Sequence, residues 1–206
     1  MPFVVEPLSP AIVRTYFRKR KFNILSIGKF FLERKNHLLL LKAVNELRQD
    51  YLVRLTMIAS LNSENNPYYK NIRNYIAQKG LEDIVTLKIN VPYREFLDEY
   101  LRHDLFVLPS MNEPAAVSSL EAMAFGLAII CTESDGARTY VQNNRNGLFF
   151  TSGNSNDLKN KIEYVISNRN LLKNMGKESA RIVASDFSPE RYYSELSKII
   201  GNEFSR

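Results

Sequence analysis

The sequence predicts an α/β fold in which six parallel strands form an open, doubly wound sheet, with helices on both faces and a helical C-terminus. Three observations carry this. From Phe22 onward short apolar runs alternate with longer amphipathic ones, the pattern of consecutive strand and helix units. The short runs lack polar–apolar alternation, as parallel strands covered on both faces should. After Phe150 only helical spacing remains.

In order along the chain, the apolar runs place strands over 23–27, 53–59, 84–87, 104–108, 128–131 and 147–150. Helical spacing between them falls over 36–48, 67–79, 93–102, 114–125 and 137–142, and then over 155–167, 170–185 and 189–203. Gly80, Gly126 and Gly147 stand where helices stop or strands start. Residues 1–21 read as a linker, 22–185 as the α/β domain and 186–206 as a C-terminal helix. In such a sheet ligands bind beyond the carboxyl ends of the strands, where the strand order reverses. The loops after Ile27, Ala59, Leu87, Leu108 and Cys131 are therefore where function should lie.

Composition removes several chemistries. The 206 residues carry 28 Lys plus Arg against 22 Asp plus Glu, a net +6, and 45% are hydrophobic, enough for a packed core. A single Cys excludes a disulfide framework, and with only His37 and His103 a three-His metal site is excluded too. A reduced, cytoplasmic protein is expected. No apolar run approaches the roughly 18 to 20 residues that cross a bilayer, the longest being 38–41 and 122–131. At the N-terminus apolar residues precede the charges, which is the reverse of a signal peptide. The basic run Arg18, Lys19, Arg20, Lys21 reads first as a solvated linker and second as a peripheral contact with a membrane surface. It carries no nucleic-acid readout motif, so no nucleic-acid partner is expected.

Two loops hold the chemistry. After the first strand, Gly28-Lys29-Phe30-Phe31-Leu32-Glu33-Arg34-Lys35-Asn36 joins one glycine and three cations at a strand-to-helix turn. It is neither a GxGxxG nor a Walker loop. Cations beside a helix N-terminus suit a diphosphate, and a solvated basic loop is the plainer alternative. After the fourth strand, Glu113-Pro114-Ala115-Ala116-Val117 leads into Ser118-Ser119-Leu120-Glu121-Ala122-Met123-Ala124. Pro114 fits a first helical position, with Asn112 or Glu113 as cap. Glu121 then sits in an otherwise apolar helix, so its carboxylate needs a hydrogen-bond partner, from the protein or from a ligand hydroxyl.

On one helix Glu113 and Glu121 would lie about 80° apart around the axis and about 12 Å along it, too far for an acid/base pair but suited to an elongated ligand. The plainer alternative makes Glu113 a capping charge and bridges Glu121 to a basic residue. His37 and His103 read as packing or surface residues rather than bases. Asp135-Gly136 reads as a turn. No Asp-x-Asp pair and no Ser–His–Asp set is present.

Together these segments resemble the donor-binding domain of retaining family 4 glycosyltransferases, the glycosyl transferases group 1, whose GT-B fold faces two Rossmann-like domains. The resemblance rests on "ILSIGKFFLERKNHLLLLKA", on the Glu-x7-Glu stretch "EPAAVSSLEAMAFGLAII", and on "YLRHDLFVLPS", "SDGARTYVQNNRNGLFF" and "FSPERY", covering about residues 22–204. It implies that Lys29 and Lys35, in the loop opened by Gly28, contact a nucleotide diphosphate. It implies that Glu113 binds hydroxyls of the donor sugar, that the N–H groups of Ala115, Ala116 and Val117 face sugar and phosphate, that Glu121 holds the ribose hydroxyls and that Val91 lines the base.

No metal and no cofactor is implied beyond the donor itself, a UDP- or GDP-sugar. The acceptor would be a glycan or a lipid-linked sugar in surface polysaccharide synthesis, O-antigen, capsule or lipopolysaccharide. An N-terminal acceptor domain, in cis or as a separate subunit, would complete the enzyme, and a nucleotide-sugar binding module without catalysis is the alternative. The sequence departs from the family pattern in places. The spacing from Lys29 to Lys35 is one residue longer, which offers Arg34 for the second cation's role. Ala116 stands where the family has Gly, Ala128 replaces Pro, and Arg138 and Thr139 occupy the place of an acidic residue.

Overall fold

A computed structural model describes residues 21–134 and 136–203. Apart from Lys21, the predicted linker and its basic run lie outside the described residues, as do Asp135 and residues 204–206. The strands are β1 (Phe22–Lys29), β2 (Val53–Ser60), β3 (Val85–Ile89), β4 (Leu105–Leu108), β5 (Ala128–Thr132) and β6 (Gly147–Phe150). The helices are α1 (His37–Leu47), α2 (Pro67–Lys79), α3 (Tyr93–Arg102), α4 (Val117–Ala124), α5 (Ser155–Ser167), α6 (Arg169–Asp186) and α7 (Pro189–Glu203).

All strand pairs are parallel, in the order β3-β2-β1-β4-β5-β6. The missing alternation has a direct cause. In β4 and β5 every residue is buried, but successive side chains enter opposite cores: Leu105 and Val107 join Ala128 and Ile130 on one face, while Phe106 and Leu108 join Ile129 and Cys131 on the other. The first core is closed by α1, α2 and α5, through residues such as Leu40, Ile72 and Ile162, and the second by α4 with Leu120 and Met123. Helix α6 reaches both, giving Leu172 and Met175 to the first core and Ile182 and Val183 to the second.

Local chemistry sets the helix ends. Asn66 caps α2 by accepting from the N–H groups of Tyr68 and Tyr69 at 3.0 and 3.2 Å, Pro67 follows it, and Gly80 ends the helix in the left-handed region. Two predicted helices need correction. The one placed over 114–125 begins only at Val117, because Ala116 has φ 38° and ψ 41°, which breaks the helical path. Pro114 is therefore not a first helical residue, and neither Asn112 nor Glu113 is the cap. The segment predicted over 137–142 is a single 3-10 turn, Gly136–Thr139. In addition β1 runs two residues further than predicted, so Gly28 and Lys29 belong to the strand and pair with Ala59 and Ser60.

The strand order reverses between β1 and β4, which are direct neighbours. The two loops singled out in the sequence, separated by about 80 positions, therefore lie side by side at the switch point.

Candidate functional site

At the end of β1 the chain makes a short 3-10 turn, Glu33–Lys35, and Asn36 then adopts a left-handed conformation before α1 starts. This folds Lys35 inward, to 9% exposure, while the Arg34 side chain stays partly open. The Phe30 ring anchors the turn from below, stacked on Tyr69 at 5.6 Å and edge-on to His37 at 4.9 Å. At Gly28 a Cβ would come within 3.0 Å of His37 Nε2, so the strand end packs against the imidazole. Burial, and then the Lys35 charge, lower the His37 pKa from 6.5 to about 3. His37 is thus a neutral packing residue. His103 packs too, with Nδ1 2.7 Å from the Glu99 carbonyl oxygen and Nε2 2.8 Å from Thr56 Oγ1.

From the β4 side comes Glu113, 8% exposed. Its Oε2 accepts from Lys35 Nζ at 2.5 Å and from an Arg34 guanidinium nitrogen at 2.8 Å. The structure therefore brings Lys35, Arg34 and Glu113 together. Lys29 does not join them: it is exposed, with Nζ 5.8 Å from the Phe31 ring centroid. Since Glu113 precedes α4, the helical arithmetic relating it to Glu121 does not apply.

The loop that carries Glu113 is bolted down along its length. Met111 N–H donates to the Arg34 carbonyl at 2.8 Å, Thr132 Oγ1 donates to the Ser110 carbonyl at 2.8 Å, and Gly136 N–H donates to the Glu113 carbonyl at 2.6 Å. A Cβ at Gly136 would overlap the carbonyl oxygens of Glu113 and Pro114, so only glycine allows this approach. Asn112 and Ala116 both have positive φ, 52° and 38°, which makes the loop a strained one held by its surroundings.

Glu121 finds its partner in the protein, and the partner is not a base. The Tyr93 hydroxyl donates to Oε1 at 3.0 Å and the Tyr100 hydroxyl to Oε2 at 2.7 Å. Tyr100 is fully buried and stacked on Phe125 at 5.1 Å, and burial with Glu121 beside it raises its pKa well above the usual value of 10.0. Sequence reasoning missed this pair. Its signal was the seven-residue spacing, which puts both hydroxyls on one face of α3.

Val91 lines a cavity of about 220 Å³ at the carboxyl ends of β1, β2 and β3, with Ile27, Ile58, Ala59, Ser60 and Asn90. Asn90, at φ 51°, ties the two flanking loops: its Oδ1 accepts from Leu61 N–H at 2.8 Å and its Nδ2 donates to the Leu61 carbonyl at 3.0 Å. Among the described residues no group of three His, Cys, Asp or Glu is placed to hold a metal ion, and no helix is long and apolar enough to cross a membrane.

Comparison with known proteins agrees with this architecture. Residues 12–181 match the family model of glycosyl transferases group 1. An uncharacterized glycosyltransferase of Methanocaldococcus jannaschii is 32% identical over 135 residues, 64% of this chain and 37% of that protein. The capsular polysaccharide biosynthesis glycosyltransferase CapM of Staphylococcus aureus is 25% identical over 179 residues, 86% of this chain and 45% of CapM. The chain thus spans less than half the length of these relatives. Among solved structures, HepE of Anabaena in complex with UDP and glucose superposes with a TM-score of 0.80 at 19% identity, over 89% of this chain and 49% of HepE. The C-terminal domain of LpcC, a glycosyl transferase group 1 family protein from Francisella tularensis, gives 0.75 at 19% identity, over 82% of this chain and 87% of that one.

Proposed function

The chain belongs to the glycosyl transferases group 1 family, and from that premise we propose that it binds the nucleotide-sugar donor of a retaining hexosyltransferase. The observation that carries the reading is the meeting of Lys35, Arg34 and Glu113 at the switch point, beside the start of α4. HepE, which shares the fold, was solved with UDP and glucose.

In this reading the donor's diphosphate replaces the Glu113 carboxylate on Lys35 and Arg34, with Lys29 free to swing in from the strand end. Glu113, released, accepts from hydroxyls of the hexose. As the bond between the sugar's anomeric carbon and the diphosphate oxygen breaks, negative charge grows on the leaving group. Lys35, Arg34 and the N–H groups of Ala116 and Val117 meet that charge, and no metal takes part. Glu121 accepts from the ribose hydroxyls in exchange for the Tyr93 hydroxyl, while Tyr100 keeps the carboxylate oriented. The base, uracil or guanine, enters the cavity at Val91. The acceptor is a glycan or lipid-linked sugar of surface polysaccharide synthesis, held by an acceptor domain in cis or by a separate subunit. The work is cytoplasmic, with a peripheral membrane contact through the basic run at 18–21.

A second reading, a donor-binding module without catalysis of its own, is favoured by Ala116, which stands where the family pattern has Gly and puts a methyl group on the strained turn at φ 38°. Calorimetry with UDP, GDP and their sugars tests the shared core of both. Binding that Lys35→Ala and Glu121→Ala each weaken supports it; silence toward every diphosphate overturns it. Transfer activity on adding an acceptor-domain partner separates the transferase from the module.

A further inference from the structure

No side chain caps the start of α4. Ala116, the residue before its first turn, sits at φ 38° and ψ 41°, a conformation L side chains rarely adopt, and neither Ala115 nor Ala116 has a polar side chain to cap the helix. What holds this turn comes from elsewhere. The Tyr140 hydroxyl lies 2.7 Å from the Ala116 carbonyl oxygen, to which it donates, and 3.3 Å from that of Ala115. Tyr140 is itself buried, its ring edge-on to Phe187 at 5.7 Å in the same core as Ala116 and Ala137. It follows directly on the 3-10 turn whose Gly136 N–H holds the Glu113 carbonyl, so one segment grips the donor loop at two points.

A trans peptide is planar, and its N–H points opposite to its C=O. Drawing the Ala115 and Ala116 carbonyls toward a hydroxyl in the core therefore turns the N–H groups of Ala116 and Val117 outward, over the switch point. The Ala116 carbonyl also accepts the first bond of α4, from Ser119 N–H at 2.9 Å, which locks the second peptide to the helix.

We propose that Tyr140 is a positioning residue for the donor. Its hydroxyl holds the strained turn so that the Ala116 and Val117 N–H groups face the distal phosphate and the sugar. The inference rests on the donor reading above and adds to it a residue outside both motif loops. Without the hydroxyl Ala116 relaxes toward negative φ, and the two N–H groups turn off the ligand.

The test is titration calorimetry of the chain with UDP and GDP and, for whichever binds, with the matching monophosphate. Tyr140→Phe keeps the ring and removes one oxygen. It should weaken the diphosphate about five-fold, the scale of one hydrogen bond, and leave the monophosphate unchanged. Adding Ala116→Gly should recover most of that loss, because glycine occupies positive φ without strain. Unchanged diphosphate affinity, an equal loss for both nucleotides, or no recovery with glycine each overturns the role of Tyr140 while the donor reading stands. Silence of the unaltered chain toward both diphosphates overturns the donor reading, and this inference with it.

Discussion

Lys35 and Glu113 meet at 2.5 Å across the seam between the two halves of the sheet, joining residues 78 positions apart. Both side chains are about nine-tenths buried, and Arg34 shares the same carboxylate oxygen. The contact links the loops of β1 and β4, and it occupies two of the three cations that the proposed donor reading gives to the diphosphate.

Breaking this pair from one side should be costly. Lys35→Met leaves Glu113 with Arg34 alone, and removal of one partner from a buried pair costs about 3 to 5 kcal/mol, reduced here because Arg34 remains. Lys35→Met with Glu113→Gln should lose less stability than Lys35→Met alone. Urea unfolding of Lys35→Met, Glu113→Gln, the double variant and the unaltered chain closes the double-mutant cycle; strictly additive losses would mean the pair contributes no coupling.

The two tyrosines on Glu121 should separate. Tyr100→Phe removes a buried donor and should cost about 1 to 3 kcal/mol, whereas Tyr93→Phe, at a side chain 54% exposed, should cost under about 0.5 kcal/mol. Thermal unfolding reads the difference. For the ligand, Glu121→Ala should abolish any preference for UDP over its 2′-deoxy form; a preference that survives removes Glu121 from the ribose.

Stability should decline in mild acid through His37. Burial, with Lys35 second, lowers its pKa from 6.5 to about 3. The unfolded chain takes up a proton near pH 6.5 and the folded chain does not until about pH 3. Stability is therefore full above pH 6.5 and falls as pH drops toward 3, by up to about 1.4 kcal/mol per unit from this one group. His37→Gln should flatten that slope between pH 7 and pH 5 in urea titrations; parallel slopes would mean that His37 takes up its proton over the same pH range folded and unfolded.

Gly136→Ala should disturb the Glu113 loop from outside it. The new methyl group meets the Glu113 and Pro114 carbonyl oxygens, so the loop must shift, at a cost of about 1 to 3 kcal/mol. On the proposed donor reading, nucleotide affinity should fall together with the melting temperature. A stable variant with full affinity would show that the loop tolerates the displacement.

Much of this was legible in the chain. All six strands and both motif loops were, because an apolar run buried on two faces and a cation-rich strand end are local patterns. The start of α4 was not. Pro114 and a small-residue run read as a helix from 114, yet Ala116 is held at positive φ by Tyr140 and the loop by Gly136, contacts that no window of a dozen residues contains. Glu121 was legible as a carboxylate in need of a partner. That the partner is two tyrosines of α3 was not, since which hydroxyl reaches it depends on how α3 and α4 pack over the same face.

By itself the sequence determined the layered α/β architecture and the residue types available at the strand ends, since periodicity and composition are properties of short segments. Tertiary structure alone decided which charges meet. With β1 and β4 adjacent in the order β3-β2-β1-β4-β5-β6, Arg34 and Lys35 lie against Glu113 while Lys29 points elsewhere. The reason is energetic: a buried carboxylate must be paired wherever the packed strands place it, and that place is set by the whole sheet.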